Sequence, residues 1–173
     1  MEIQENIINK VANSGLVSLN LEDFYHKGER VLYDIVDNLF HGLMLKEKDF
    51  REALKQTDWE KFAGKDVGVT CSVDAIIPRW AFMLVASYLQ PLAAAVYFGN
   101  EKEVIEEIIL RNIRSLDLSH FQDKRVVIKG CGDKQVGEKV YLEITLLLRP
   151  VVKSIMYGEP CSTVPVFKKA LNN

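Results

Sequence analysis

The sequence predicts an α/β fold, with α+β as the alternative: a mixed sheet made from two tandem αβαβ repeat units and an N-terminal β-hairpin. Three observations lead there. From residue 46 onwards, helical apolar patterns alternate with short strand patterns. That alternation recurs, without gaps, at a shift of 59 residues. Before residue 46, two stretches alternate apolar and polar residues with a turn between them.

Residues 4–13 are expected to form a short helix that stops near Asn13-Ser14-Gly15. Val17, Leu19 and Leu21 alternate with Ser18 and Asn20, and Val31, Tyr33 and Ile35 alternate with Leu32 and Asp34. His26-Lys27-Gly28-Glu29 reads as the turn between these two strands, so the pair is expected to be an antiparallel hairpin. The stretch 38–45 has no clear period. Over 46–56, Phe50 and Leu54 stand four apart among charges, the mark of an amphipathic helix.

The repeat follows. Under the 59-residue shift, Asp58 falls on Asp117, Phe62 on Phe121, Lys65 on Lys124 and Val67 on Val126. Asp74 falls on Asp133, Leu89 on Leu148, Pro91 on Pro150 and Gly99 on Gly158. Each unit is expected to run helix (46–56, then 102–115), strand (66–70, then 125–129), helix (78–90, then 137–149) and strand (94–98, then 153–157). Pro91 and Pro150 mark helix ends, and Pro78 suits a first helical turn. Strand–helix–strand units give parallel strands with right-handed crossovers. The expected organisation is one domain over 1–173: a hairpin region 1–45, repeat units 46–100 and 105–159, and a tail 160–173. In the tail, Val164-Pro165-Val166-Phe167 reads as a segment closing the core or an interface, and the oligomeric state stays open.

With 173 residues, 48% hydrophobic and 27% charged, the chain has the profile of a folded globular protein. A net charge of −2 gives no electrostatic ground for nucleic acid or an anionic membrane as partner. No apolar run is long enough to span a bilayer, and the acidic start Met1-Glu2-Ile3-Gln4-Glu5 lacks the features of a signal peptide. The expected location is the cytoplasm. In that reducing compartment Cys71, Cys131 and Cys161 are core filler, metal ligands or nucleophiles rather than a disulfide framework.

The cysteines define the candidate site. In the repeat frame Cys71 lies opposite Gly130 and Ser72 opposite Cys131, so both thiols come to the carboxyl end of a strand, just before a helix. Cys161 follows the last repeat strand by a few residues. In one parallel sheet all three would share the edge at which α/β proteins bind ligands. A helix N-terminus would lower a thiol pKa there, and the thiolate is both metal ligand and nucleophile. Asp74 and Asp133, each near a cysteine, are candidate ligands, partners of ligands or helix caps. Trp59 and Trp80 read as packing residues, and His26, His41 and His120 share no spacing with the cysteines. The sequence has no G-x-G-x-x-G, P-loop, H-E-x-x-H or G-x-S-x-G motif.

The strings Asn9-Lys10-Val11-Ala12-Asn13-Ser14-Gly15, Thr70-Cys71-Ser72-Val73-Asp74-Ala75-Ile76-Ile77-Pro78, Trp80-Ala81-Phe82-Met83-Leu84-Val85-Ala86-Ser87, Ile128-Lys129-Gly130-Cys131 and Gly158-Glu159-Pro160-Cys161-Ser162 resemble the bacterial family called domain of unknown function 2480. The resemblance covers nearly the whole chain and takes in all three cysteines. It departs at Gly137, where the family often has proline. It implies no established activity; it points towards thiols and metal, with metal or iron–sulfur assembly proteins as partners.

Three functional readings follow. In the first, Cys71, Cys131 and Cys161 hold zinc or an iron–sulfur cluster, with Asp74, Asp133, water or a transferred group in the fourth position. In the second, Cys71 is the nucleophile of a thiol enzyme or a sulfur carrier, short of an obvious histidine base. In the third, the chain is a structural or interaction module with inert core thiols.

Overall fold

The structure, a computed structural model, describes residues 9–10, 15–25, 28–129, 134, 136–159 and 161–170. In chain order it contains β1 (Asn9–Lys10), β2 (Leu16–Asn20), β3 (Arg30–Asp34), α1 (Glu47–Gln56), β4 (Asp66–Thr70), α2 (Arg79–Leu89) and β5 (Ala95–Phe98). Then follow α3 (Glu101–Arg114), β6 (Arg125–Lys129), α4 (Glu138–Leu148), β7 (Ser154–Glu159) and β8 (Ser162–Lys168). The α/β class is as expected. The pairs β4 and β6, α2 and α4, and the starts of β5 and β7 each stand 59 residues apart.

The strands form two sheets rather than one: β1-β2-β6-β7-β8, and β3-β4-β5. The chain accordingly divides into two compact units, residues 27–107 and residues 1–26 with 108–173.

In the unit 27–107, β3, β4 and β5 are parallel, with Val31 beside Val67 beside Val96 and Tyr33 beside Val69 beside Phe98. Parallel neighbours need a crossover, which α1 and α2 supply. Phe50 and Leu54 are the buried face of α1, while Ala81, Val85 and Leu89, at i, i+4 and i+8, are that of α2. With Tyr33, Ile35, Phe62, Val67 and Val69 they form one core. Gly68 points to the other face. A Cβ there would stand 2.5 Å from Val104 Cγ2 on α3 and 2.6 Å from Leu32 Cδ2, so only glycine lets these neighbours close in. At the end of β5, Gly99 has φ +131 and leads into a capping box: the Asn100 amide donates to Glu103 Oε2 (2.8 Å) and the Glu103 amide to Asn100 Oδ1 (3.2 Å).

In the other unit, β2, β6 and β7 are parallel, β1 is antiparallel to β2, and β8 is antiparallel to β7. Val140, Ile144 and Leu148 are the buried face of α4, and Phe121, Val126 and Ile155 are fully buried.

Several expectations are corrected. The predicted hairpin does not form: β2 lies parallel to β6 and β3 parallel to β4, in different sheets. The local reason is Leu21–Phe24, a 3-10 turn that the Asn20 side chain caps. It buries Leu21 and Phe24 and breaks the strand period that Leu21 had seemed to continue. The expected turn residues His26 and Lys27 lie outside the described residues. The expected helix over 4–13 is replaced at Asn9–Lys10 by strand, and its other positions lie outside the described residues. The tail is a strand, because Tyr157 and Val164 pair directly, as do Ile155 and Phe167. Helix α2 starts at Arg79, since Pro78 is held extended (φ −61, ψ 140) as its N-terminal flanking residue.

Candidate functional site

Parallel strands of the unit 27–107 end together at Asp34, Thr70 and Phe98, and the loops that leave them build the candidate site. Asp34 organises its centre. Its Oδ1 accepts from the Val36 amide (3.0 Å), turning the chain into the 3-10 segment Ile35–Asn38, and from the Ser72 amide (3.1 Å) of the loop after β4. Burial pulls the Asp34 carboxyl upward. The Ser72 hydroxyl and the Val36 and Ser72 amides outweigh that effect and hold it below the usual aspartate range. An ionised Asp34 thus ties the ends of two neighbouring strands together.

Cys71 is half-buried directly after β4, where its Sγ donates to the Val73 carbonyl at 3.4 Å. It also precedes Arg79, the first residue of α2, by a seven-residue loop, so the helix N-terminus expected to activate it is not adjacent. Asp74 is exposed in that loop and caps nothing: α2 has no side-chain cap. Cys161 is exposed in the turn between β7 and β8, in the other sheet. Cys131 and Asp133 lie outside the described residues.

The three-cysteine centre for zinc or an iron–sulfur cluster is therefore corrected. Among the described residues no group of three His, Cys, Asp or Glu side chains is placed to hold a metal ion. The expectation needed one sheet edge, and Cys71 and Cys161 follow strands of two different sheets. Nor are these two thiols core filler, since one is half-buried and the other exposed. His41 packs its ring on Phe40 (4.0 Å between centroids), and His120 lies 3.5 Å from the Asp117 carboxylate.

The loops that follow β3 and β4 also carry an apolar group. Phe40 and Met44 form an antiparallel bridge, with the Phe40 amide donating to the Met44 carbonyl at 2.8 Å. Met44 forms a parallel bridge to Ile76, whose amide donates to the Leu43 carbonyl at 3.3 Å. This small ladder sets Leu43, Met44 and Ile76 side by side and leaves them in solvent; Ile76 is 83% exposed and Leu43 64%. The Lys46 ammonium sits 3.1 Å from the Phe40 ring centroid and steadies its base. The sequence had singled out neither Asp34 nor this ladder. The available signal was 38–45 itself, an apolar stretch of no period.

The other unit anchors its equivalent loop in a related way. Asn20 Oδ1 accepts from the Glu22 amide at 3.2 Å, and Glu22 Oε1 accepts from the Lys134 amide at 2.8 Å, beyond β6. The Lys134 ammonium stands 4.5 Å from the Tyr25 ring centroid. An acidic side chain thus holds a backbone amide beyond the next parallel strand in both units, Asp34 from the last position of β3 and Glu22 from just past β2.

The model of a family described as a protein of unknown function (DUF2480) matches residues 5–169. The chain belongs to the DUF2480 family. No curated protein and no solved structure matches it. The DUF2480 match spans Cys71, Asp34 and the Phe40–Met44–Ile76 ladder alike. No helix among the described residues is long and apolar enough to cross a membrane.

Proposed function

We propose that this protein is a docking module that binds an extended, apolar polypeptide segment at the carboxyl edge of the β3-β4-β5 sheet. One observation carries the reading: Leu43, Met44 and Ile76 are held together by backbone bridges and still stand exposed. Grouped apolar side chains on a surface cost hydration free energy unless a partner covers them. Ile76, at 83% exposure, projects from the surface instead of lining a cavity, which favours a polypeptide over a small ligand. The ladder is already strand-like, and an extended segment adds to it by the same backbone pairing. Asp34 fixes the loop from which Ile76 emerges, so the surface is arranged before the partner arrives.

The test is selection of peptides from a displayed random library on the immobilised full-length chain, followed by affinities from fluorescence anisotropy. Apolar peptides should be enriched, and Ile76→Asp should weaken them at least tenfold, the behaviour of a central contact residue. Absence of enrichment over the Ile76→Asp chain, or equal affinities for both chains, would refute the reading.

A further inference from the structure

Resting on the docking role of the Phe40–Met44–Ile76 ladder, we infer that the segment it receives is its own counterpart: residues 74–79 of two copies pair antiparallel about a two-fold axis through Ile76. The stretch reads Asp74-Ala75-Ile76-Ile77-Pro78-Arg79. Ile76 bonds inward, its amide donating to the Leu43 carbonyl in the parallel bridge to Met44. Successive residues of an extended strand direct their backbone groups to opposite sides. Ala75 and Ile77 therefore face outward, and among the described residues the backbone of neither has a hydrogen-bond partner. Ile77 precedes a proline, which keeps it extended, and Pro78 is itself extended (φ −61, ψ 140). Nothing covers the segment: Asp74, Ile76 and Arg79 are exposed, and Ala75 and Ile77 are in part accessible.

An open edge takes an extended strand, and three features select a second copy of this one. The outward groups stand at Ala75 and Ile77, symmetric about Ile76. An antiparallel copy centred there sets Ala75 opposite Ile77 of the other copy, twice over, and pairs every outward amide and carbonyl of both segments. Ile76 then lies directly opposite its own equivalent, a β-branched pair formed from side chains that are each 83% exposed alone. Pro78 directs its backbone inward, as Ile76 does, so its missing amide costs this pairing nothing.

The third feature is charge. Asp74 and Arg79 carry opposite charges at opposite ends of the segment, and among the described residues neither has an ion-pair partner. Antiparallel pairing brings each Asp74 beside Arg79 of the other copy; parallel pairing would set like charges together. The two-fold arrangement is closed and ends at a dimer. Its paired stretch is short, which sets the association in the weak, concentration-dependent class.

Analytical ultracentrifugation of the full chain from about 1 to 500 μM brackets micromolar dissociation constants. Wild type should pass from monomer to dimer across that range. Arg79→Asp and, separately, Asp74→Arg put like charges together at both ends of the contact, and each should raise the dissociation constant about tenfold. Both positions are exposed and aspartate suits a first helical turn, so each variant should stay folded, which circular dichroism checks. An equimolar mixture of the two variants restores opposite charges at both ends and should dimerise as tightly as wild type. A wild type that stays monomeric throughout overturns the inference. So does a dimer that neither variant weakens, or a mixture no tighter than either variant alone. Peptide selection separates this failure from that of the docking role. A monomeric chain that still enriches apolar peptides through Ile76 refutes self-pairing alone; a monomeric chain that enriches none refutes docking as well.

Discussion

Tyr33 gives a pH dependence whose sign and size follow from its surroundings. Only 8% exposed, it stacks on Trp59 (5.3 Å) and meets Phe62 edge-on (5.9 Å), and its hydroxyl donates to Asn38 Oδ1 at 3.0 Å. Burial is the main cause that drives its pKa up from 10.0 to about 12; the Asp37 charge adds to the rise and a hydrogen bond with Thr57 opposes it. A phenol whose folded pKa is raised resists ionisation only while folded. Its contribution is therefore fully present below the unfolded value near pH 10 and is lost as pH rises through the folded value. Two pH units correspond to about 3 kcal/mol in all, and about 1 kcal/mol is gone by pH 11. Urea unfolding at pH 9 and pH 11, on wild type and Tyr33→Phe, isolates the effect from every other titrating group. At pH 9 the variant should be less stable by about 1 kcal/mol for the lost hydroxyl bond. By pH 11 that difference should have shrunk by about 1 kcal/mol. If both chains lose stability in parallel between the two pH values, the argument from burial is wrong.

Two further tests address the backbone of the site. Gly68→Ala should cost about 1–3 kcal/mol in thermal or urea unfolding, because Val104 is buried and stiff and yields less readily than Leu32. The cost should shrink in a Val104→Ala background, which a double-mutant cycle reads directly. Asp34 is the acid counterpart of Tyr33: its lowered pKa stabilises the fold above the ordinary carboxyl range and is lost as pH falls through the folded value. Asp34→Asn should flatten the acid limb of stability below about pH 4 and speed hydrogen exchange at the Ser72 amide at neutral pH.

Local pattern carried the fold class and most elements. Strands 66–70 and 125–129 coincide with β4 and β6, since short apolar runs bounded by polar loops leave little freedom in where a buried strand lies. Helix ends shifted by a residue where Pro78 imposed extended backbone. Strand partnership was another matter. Val17-Ser18-Leu19 and Val31-Leu32-Tyr33 alternate equally well whether they pair with each other or with distant strands, because alternation records a buried face and not the neighbour in the sheet. What separated them was the capped turn Leu21–Phe24, whose signal, Asn20 followed by Glu22 and Asp23, has the pattern of a cap within an apparently continuous strand.

That error in partnership decided the outcome for the candidate site. The expected ligand set put three thiols at the edge of one sheet, and the step from hairpin to single sheet was the one that failed. The position of Cys71 survived, directly after a parallel strand, but its chemistry did not: the loop from Ser72 to Pro78 places the thiol well before α2. The same loop takes its shape from Asp34, thirty-eight residues earlier in sequence, and from Leu43, which accepts the Ile76 amide. Neither contact has a local sequence signature, because both are made between loops that the parallel register of β3 and β4 alone brings side by side. Exposure of Ile76 is a product of that register. A shift of β3 by one residue would move Asp34 away from the Ser72 amide and dissolve the surface on which docking rests.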